Sequence, residues 1–187
     1  MMEQMKDFCI EGTNVILRFA KASDLDAYFE FLQDPEMNRL TGAQRTFTRE
    51  EIAAWLDKIG VPSEERADFM ILTKDTNELI GEVVINEVDP VNRRANIRIG
   101  IQGTQHRGKG HGTEALVHML RYGFEHMKLH RIDLGVYVFN PRAIHVYEKI
   151  GFVREGIERD AIFLDGKFHD MIVMSMLEDE YRAKYSV

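Results

Sequence analysis

The chain has 187 residues, enough for one domain with a full hydrophobic core. Its 44% hydrophobic and 29% charged content belongs to the soluble globular class, and a formal net charge of −7 argues against nucleic-acid binding, which needs a basic surface. The single cysteine, Cys9, excludes an internal disulfide and fits a reducing compartment; the opening Met-Met-Glu-Gln-Met-Lys-Asp is too polar for a signal peptide and no apolar run is long enough to span a membrane, so a cytoplasmic protein without membrane partners is expected.

Residues 13–19 predict a first strand. Ser23 is placed as the N-cap of a helix, with Asp24 and Asp26 in its first turn and Leu25, Tyr28, Phe29 and Leu32 along one apolar face. Asp34-Pro35 ends it. Thr48 and Glu51 form a capping box that opens a second helix, whose apolar face is Ile52, Trp55, Leu56 and Ile59 and which stops at Gly60 and Pro62. The period then switches to strands at 69–72, 79–85 and 94–101, whose short links imply antiparallel hairpins. A glycine-rich turn leads into a helix ending near Met127. A strand at 132–138, a helix from Pro141 to Ile150, and two strands (about 152–163 and 167–177) around an Asp165-Gly166 hairpin turn complete the chain. With no repeat, linker or low-complexity stretch, residues 1–187 read as a single α/β (α+β) domain with a mixed sheet.

The glycine-rich turn is Gln105-His-Arg-Gly-Lys-Gly-His-Gly-Thr-Glu-Ala115. It lies between the alternating strand Ile97-Arg-Ile-Gly-Ile101 and the amphipathic Ala115-Leu-Val-His-Met-Leu120. That order sets unpaired backbone N–H groups at a helix N-terminus, where the dipole also favours negative charge, so the turn suits a phosphate or pyrophosphate. Gly108, Gly110 and Gly112 keep side chains out of the way, and Arg107 and Lys109 add positive charge. The spacing fits neither a P-loop nor a dinucleotide fingerprint. Taken alone, such a turn reads equally well as a flexible surface loop.

A second string, Asn140-Pro-Arg-Ala143-Ile-His-Val-Tyr147-Glu-Lys149-Ile-Gly151-Phe152, has Pro at the first helical position and Gly at the C-terminal stop. Ala143, Ile144 and Tyr147 share one face, and Tyr147 by itself reads as a packing residue. Together the two strings resemble the GNAT N-acetyltransferase superfamily. Gln105-x2-Gly108-x-Gly110 resembles its acetyl-CoA pyrophosphate motif, and Asn140-x2-Ala143-x3-Tyr147-x-Lys149-x-Gly151-Phe152 its second cofactor motif. The branch is similar to bacterial ribosomal-protein-alanine and spermidine acetyltransferases, through Leu32-Gln-Asp-Pro-Glu36, Phe47-Thr-Arg-Glu-Glu51, Trp55 and the closing hairpin, over residues 13–177.

The resemblance implies a mixed, mostly antiparallel sheet, splayed at a cofactor cleft and flanked by helices. It implies acetyl-CoA as co-substrate. Ile99, Gly100 and Ile101 would offer backbone groups to the thioester and pantetheine, and the N–H groups of His106, Arg107, Gly108, Lys109, Gly110, His111, Gly112 and Thr113 would hold the pyrophosphate. Asn140, with Ala143 beside it in the motif, would meet the pantetheine, and the Tyr147 hydroxyl would protonate the departing thiolate. Many relatives carry a glutamate as base on the strand before the glycine turn; Asn96 occupies that position here. Glu82 is the replacement candidate, against the plainer reading of a solvated sheet-face residue.

The expected activity is therefore acetyl transfer to a primary amine: a polyamine, a small amine or a peptide N-terminus. The alternative is a non-catalytic acyl-CoA-binding or sensing module on the same fold. The acidic cluster Asp24, Asp26, Glu30, Asp34 and Glu36 reads as a lure for a polyamine or as a solvated helix face. His126 and His130, four apart, could present two metal ligands on a helix, but no third is apparent and no metal is expected. Ile172, Val173, Met174 and Met176 in the last hairpin, with the family tendency, suggest a homodimer, unless they are core.

Overall fold

The structure, a computed structural model, describes residues 8–61 and 63–185; the polar N-terminal heptapeptide and the helix-stopping Pro62 lie outside the described residues. The first strand is preceded by a short partner: β1 (Cys9–Glu11) pairs antiparallel with β2 (Val15–Arg18). Three residues are too few to show an alternating pattern, so β1 was not foreseen. A 3-10 turn (Ala22–Asp24) leads into α1 (Leu25–Gln33). Ser23 is not the cap. Asp24 closes this corner instead, accepting from the Lys21 N–H at 2.8 Å and taking both terminal nitrogens of Arg18 at 2.7 Å.

Asp34-Pro35 ends one helix and starts another. Pro35 fits the first position of α2 (Pro35–Thr41), Asp34 Oδ1 accepts from Met37 N–H at 2.8 Å, and Gly42, at φ 74°, ends the helix. The capping box of α3 (Arg49–Ile59) forms in both directions: Glu51 N–H to Thr48 Oγ1 at 3.2 Å and Thr48 N–H to Glu51 Oε2 at 2.9 Å. Next come β3 (Ala67–Thr73), β4 (Leu79–Asp89) and β5 (Arg94–Ile101) as antiparallel neighbours. The long helix is α4 (His111–Arg121), continued by a π-helical turn (Tyr122–His126) where Gly123 lets the chain close on Ile132 and Ile85. Then β6 (Arg131–Tyr137), α5 (Pro141–Ile150), β7 (Val153–Leu164), β8 (Lys167–Leu177) and a further helix, α6 (Glu178–Tyr185), follow.

Among the described residues, eight strands make one sheet in the order β1-β2-β3-β4-β5-β6-β8-β7, and the only parallel pair is β5 with β6. Helices cover both faces. Phe69 and Ile71 of β3 pack toward α4 and α5, while Met70 and Leu72 pack toward α1, α2 and α3. Each of these fully buried side chains contributes roughly 1.5–3 kcal/mol. Of the four residues offered as a dimer contact, Ile172, Met174 and Met176 are buried in this same core and give no apolar surface to a second copy, whereas Val173 is half-buried. His126 and His130 do not share a helix: His126 stacks on Tyr122 at 4.7 Å, and His130 Nδ1 sits 3.7 Å from Glu178. No group of three metal-ligating side chains clusters among the described residues.

Candidate active site

The site begins where the sheet comes apart. β5 pairs with β6 only at Arg94↔Arg131, Ala95↔Ile132 and Asn96↔Asp133. Beyond Asn96 the parallel partner is lost, and residues 97–101 pair only with β4. The β6-facing backbone of that segment therefore borders a gap. A cavity of about 340 Å³ occupies it, walled by Ile99, Gly100, Ile101, the glycine turn and the inner face of α5.

In the glycine turn, Gly108 and Gly110 sit at φ 77° and 88°. A Cβ at Gly110 would meet nothing within 4 Å, so the left-handed backbone, rather than lack of room, calls for glycine there. Gly110 is the N-cap of α4 and brings no side chain to the helix end. The N–H groups of residues 108–113 have no acceptor among the described residues. They form a cradle for an anion, with the helix dipole behind it. The cradle is narrower than the sequence implied. His106 and Arg107 N–H groups donate to Gly103 and Thr104 carbonyls, both at 3.3 Å, in a 3-10 turn (Thr104–His106).

Both residues line the cavity, but their side chains are held by protein partners. His106 is buried with Nε2 3.2 Å from Glu78 Oε1. Arg107 donates through Nε and Nη2 to the Ile101 carbonyl at 3.3 Å and pairs with Asp34 and Glu36 of the α1–α2 junction. Neither Lys109 nor His111 lines the cavity, whereas Thr113 and Gly112 do.

Asn140 caps α5, its Oδ1 accepting from Ala143 N–H at 3.2 Å, which leaves its amide NH₂ for the cavity. One face of α5 then brings Ala143, Val146 and Tyr147 to the same wall. The Tyr147 ring is 8% exposed and meets Phe152 edge-on at 5.9 Å. Burial pushes its hydroxyl up to about 12, so it holds its proton at neutral pH.

A second cavity, about 1000 Å³, lies on the opposite side of the gap, between α1, α2, α3 and the β4–β5 face. The two cavities share Ile99, Gly100, Asn140, Ala143 and Tyr147, so they meet at the splayed strands. Glu82 lines the second one. It is paired across the ladder with Gly100 and is not a solvated sheet-face residue, being only 9% exposed. Its Oε2 accepts from the Tyr28 hydroxyl at 2.7 Å and its Oε1 is 3.5 Å from Arg98 Nη2. Burial raises its pKa, against the pull of Arg98 and of the Tyr28 hydrogen bond. Tyr28 is pushed up in turn, by burial first and then by the neighbouring carboxylate. Asn96 sits four residues from Gly100, with Nδ2 3.4 Å from Asp133.

The sequence did not single out Tyr28 and Arg98 for the site, nor Met37, Leu40 and Thr41, which line both cavities from the unforeseen α2. The Asp34-Pro35 pair, a cap followed by an N1 proline, is the signal that could have found that helix. Four of the five residues of the acidic cluster are engaged by arginines: Asp24 holds Arg18, Asp26 holds Arg49 at 2.5 Å, and Asp34 and Glu36 hold Arg107, while Glu30 is exposed.

A family model described as an acetyltransferase (GNAT) domain matches residues 14–153. The uncharacterized N-acetyltransferase p20 of Bacillus licheniformis is 29% identical over 168 residues, covering 88% of this chain and 93% of that protein. A spermidine N(1)-acetyltransferase of Vibrio cholerae is 35% identical over 118 residues, covering 63% of this chain and 68% of that protein. A crystal structure of spermidine N-acetyltransferase from Vibrio cholerae in complex with CoA and spermine superposes with a TM-score of 0.82 at 27% identity, covering 91% of this chain and 99% of that one.

Proposed function

The chain belongs to the GNAT acetyltransferase family, and on that premise we propose that it transfers the acetyl group of acetyl-CoA to a primary amine by direct attack, with both substrates bound together. The observation that carries this reading is the meeting of two cavities at Gly100 and Tyr147, one ending in the glycine cradle and the other holding Glu82. The free N–H groups of residues 108–113 suit the pyrophosphate, and the unpaired edge of residues 99–101 with the Asn140 amide suits the pantetheine arm. Acetyl-CoA supplies an activated acyl group. The protein's part is to hold the amine against it and to manage two protons.

Two carboxylates line the acceptor cavity; Glu51 is tied to Arg45, and Glu82, opposite Gly100, takes the proton that the attacking ammonium must lose. Tyr147 Oη gives its proton to the sulfur as the carbon–sulfur bond breaks. N–H groups on the exposed edge of β5 offer hydrogen bonds to the carbonyl oxygen as it gains charge. The lone thiol, on exposed Cys9, is consistent with a reducing cytoplasm.

Thiol release from acetyl-CoA across a panel of primary amines, with product mass, tests the proposal. Thiol released in step with an acetylated amine supports it. Tight acetyl-CoA binding by calorimetry with no thiol release for any amine overturns it in favour of a binding module.

A further inference from the structure

The lining of the acceptor cavity carries four cationic side chains, Arg45, Lys58, Arg66 and Arg98, against two carboxylates, Glu51 and Glu82. Two of the cations are already satisfied. Arg45 Nη2 is 2.6 Å from Glu51 Oε1, and Arg66 grips Asp68 through Nε and Nη2 at 2.6 and 2.7 Å while lying 4.6 Å over the Trp55 ring. What remains is Lys58 beside Trp55, and the pair formed by Arg98 and Glu82. The residual charge of the cavity is positive.

Arg98 and Glu82 stand side by side at the reacting end. Arg98 is two residues before Gly100 on the same strand, hence on the same face, and Glu82 is directly opposite Gly100. Their contact is long, 3.5 Å, and the Arg98 side chain is 51% exposed. Arginine presents five N–H donors in a planar fork, which suits a carboxylate gripped by two of them. The fork of Arg98 is largely unfilled. An adjacent cation and anion are the complement of a zwitterion. The walls beyond, Phe31, Phe47 and Trp55, are apolar and aromatic.

We propose that the acceptor is a free amino acid with an apolar side chain, its amine set on Glu82, its carboxylate on Arg98 and its side chain against Phe47 and Trp55. The proposal rests on the acetyl-transfer reading above and narrows its acceptor. A polyamine fits this cavity poorly: an ammonium at Glu82 would lie beside the Arg98 cation, and the next ammonium would find Lys58 or an arginine already paired. A peptide N-terminus has no carboxylate next to its amine and leaves the Arg98 fork empty.

The test uses the full chain, acetyl-CoA and four acceptors: phenylalanine, phenylalaninamide, phenethylamine and spermidine. The two phenylalanine analogues keep the ring and remove the charge. The amide's amine is less basic than that of the acid and therefore more available, so a slower amide is not explained by basicity. The expected result is acetylation of phenylalanine at a kcat/KM about ten- to a hundred-fold above the amide and phenethylamine, as one charge-assisted carboxylate contact supplies, with spermidine slower still. Arg98→Gln should erase the preference by lowering kcat/KM much further for the acid than for the amide, whose smaller loss reflects the lost contact with Glu82, and Arg98→Lys should restore part of it. Calorimetric acetyl-CoA binding should be unchanged in both variants. Faster turnover of the amide, phenethylamine or spermidine than of phenylalanine overturns the acceptor assignment while leaving acetyl transfer standing. Equal loss for acid and amide in Arg98→Gln also overturns it. Thiol release with none of the four or with any other amine, despite acetyl-CoA binding, removes the acetyl-transfer reading and the acceptor proposal with it.

Discussion

The Tyr28 hydroxyl donates to Glu82 Oε2 at 2.7 Å and ties the first helix to the strand that faces Gly100. This contact sets the pH behaviour of the proposed base. Glu82 works as a carboxylate, and its burial raises the pH at which it becomes one, while the Tyr28 bond and Arg98 lower it. Activity should fall as pH drops through a limb lying above the ordinary carboxylate range. Tyr28→Phe removes a bond to the charged form, so the limb should move to higher pH. Glu82→Gln should abolish the limb and lower kcat by about 10²–10⁴-fold. Profiles of kcat/KM for the three proteins with one acceptor check this; an unchanged limb in Glu82→Gln assigns the base elsewhere.

Tyr147 is the proposed acid. Tyr147→Phe keeps the ring against Phe152 and removes only the proton. Acetyl-CoA affinity should hold, and kcat should fall by about 10²–10⁴-fold, since the lost interaction forms chiefly in the transition state. Single-turnover rates, which separate chemistry from product release, are the measurement. Wild-type chemistry in the Phe variant would falsify the acid role and return Tyr147 to packing.

How far the sequence reached differs between elements for physical reasons. Long periodic segments such as α3 and α5 carry their caps and apolar faces in plain view, and both lie where the pattern put them. The splay of β5 from β6 has no local signature. It came through family resemblance, and the pairing that stops at Asn96 bears it out. α2 was missed because Asp34-Pro35 reads as a stop, although the same residues start a helix. Side-chain direction was the largest loss. Composition made Arg107 an anion ligand, yet its position beside Asp34 and Glu36 is a tertiary contact from seventy residues away, which no local window contains. Glu82 was undecided for the same reason: its burial depends on Tyr28 and α1 closing over the sheet.

The glycine cradle predicts a charge-specific loss. Gly110 sits at φ 88° with open space around its missing Cβ, so a substitution costs backbone strain, on the order of 1–2 kcal/mol, rather than a clash. Asparagine tolerates the left-handed region and is neutral; aspartate is nearly the same shape and negative. Gly110→Asn should weaken acetyl-CoA binding modestly, and Gly110→Asp by at least a further tenfold, because its charge faces the expected pyrophosphate. Calorimetry on both variants reads the difference. Equal affinities would place the anion elsewhere.

Arg107 should behave as a strut and not as a phosphate ligand. It is anchored to the Ile101 carbonyl, Asp34 and Glu36, and Asp34 also accepts from the Gly103 N–H at 2.7 Å, so the loop after β5 and the α1–α2 junction are held as one unit. Burial alone would raise the Asp34 pKa, but the N–H groups of Gly103 and Met37, with Arg107, hold it below the ordinary value. A carboxylate whose folded pKa is depressed adds stability above its unfolded pKa, and that stability disappears as pH falls through the folded one. Arg107→Met should therefore cost about 1–3 kcal/mol, a few degrees of Tm, at neutral pH, and should shrink the acid-side loss of stability, because the folded pKa of Asp34 moves back toward its unfolded value. Exposed Lys109→Met, on the same turn, should change stability by no more than about 0.5 kcal/mol. Thermal melts from pH 3 to pH 8 on the two variants make the comparison. An unchanged Tm in Arg107→Met, paired with a large loss of acetyl-CoA affinity, would show that the guanidinium turns outward to the anion and that its inward contacts are incidental.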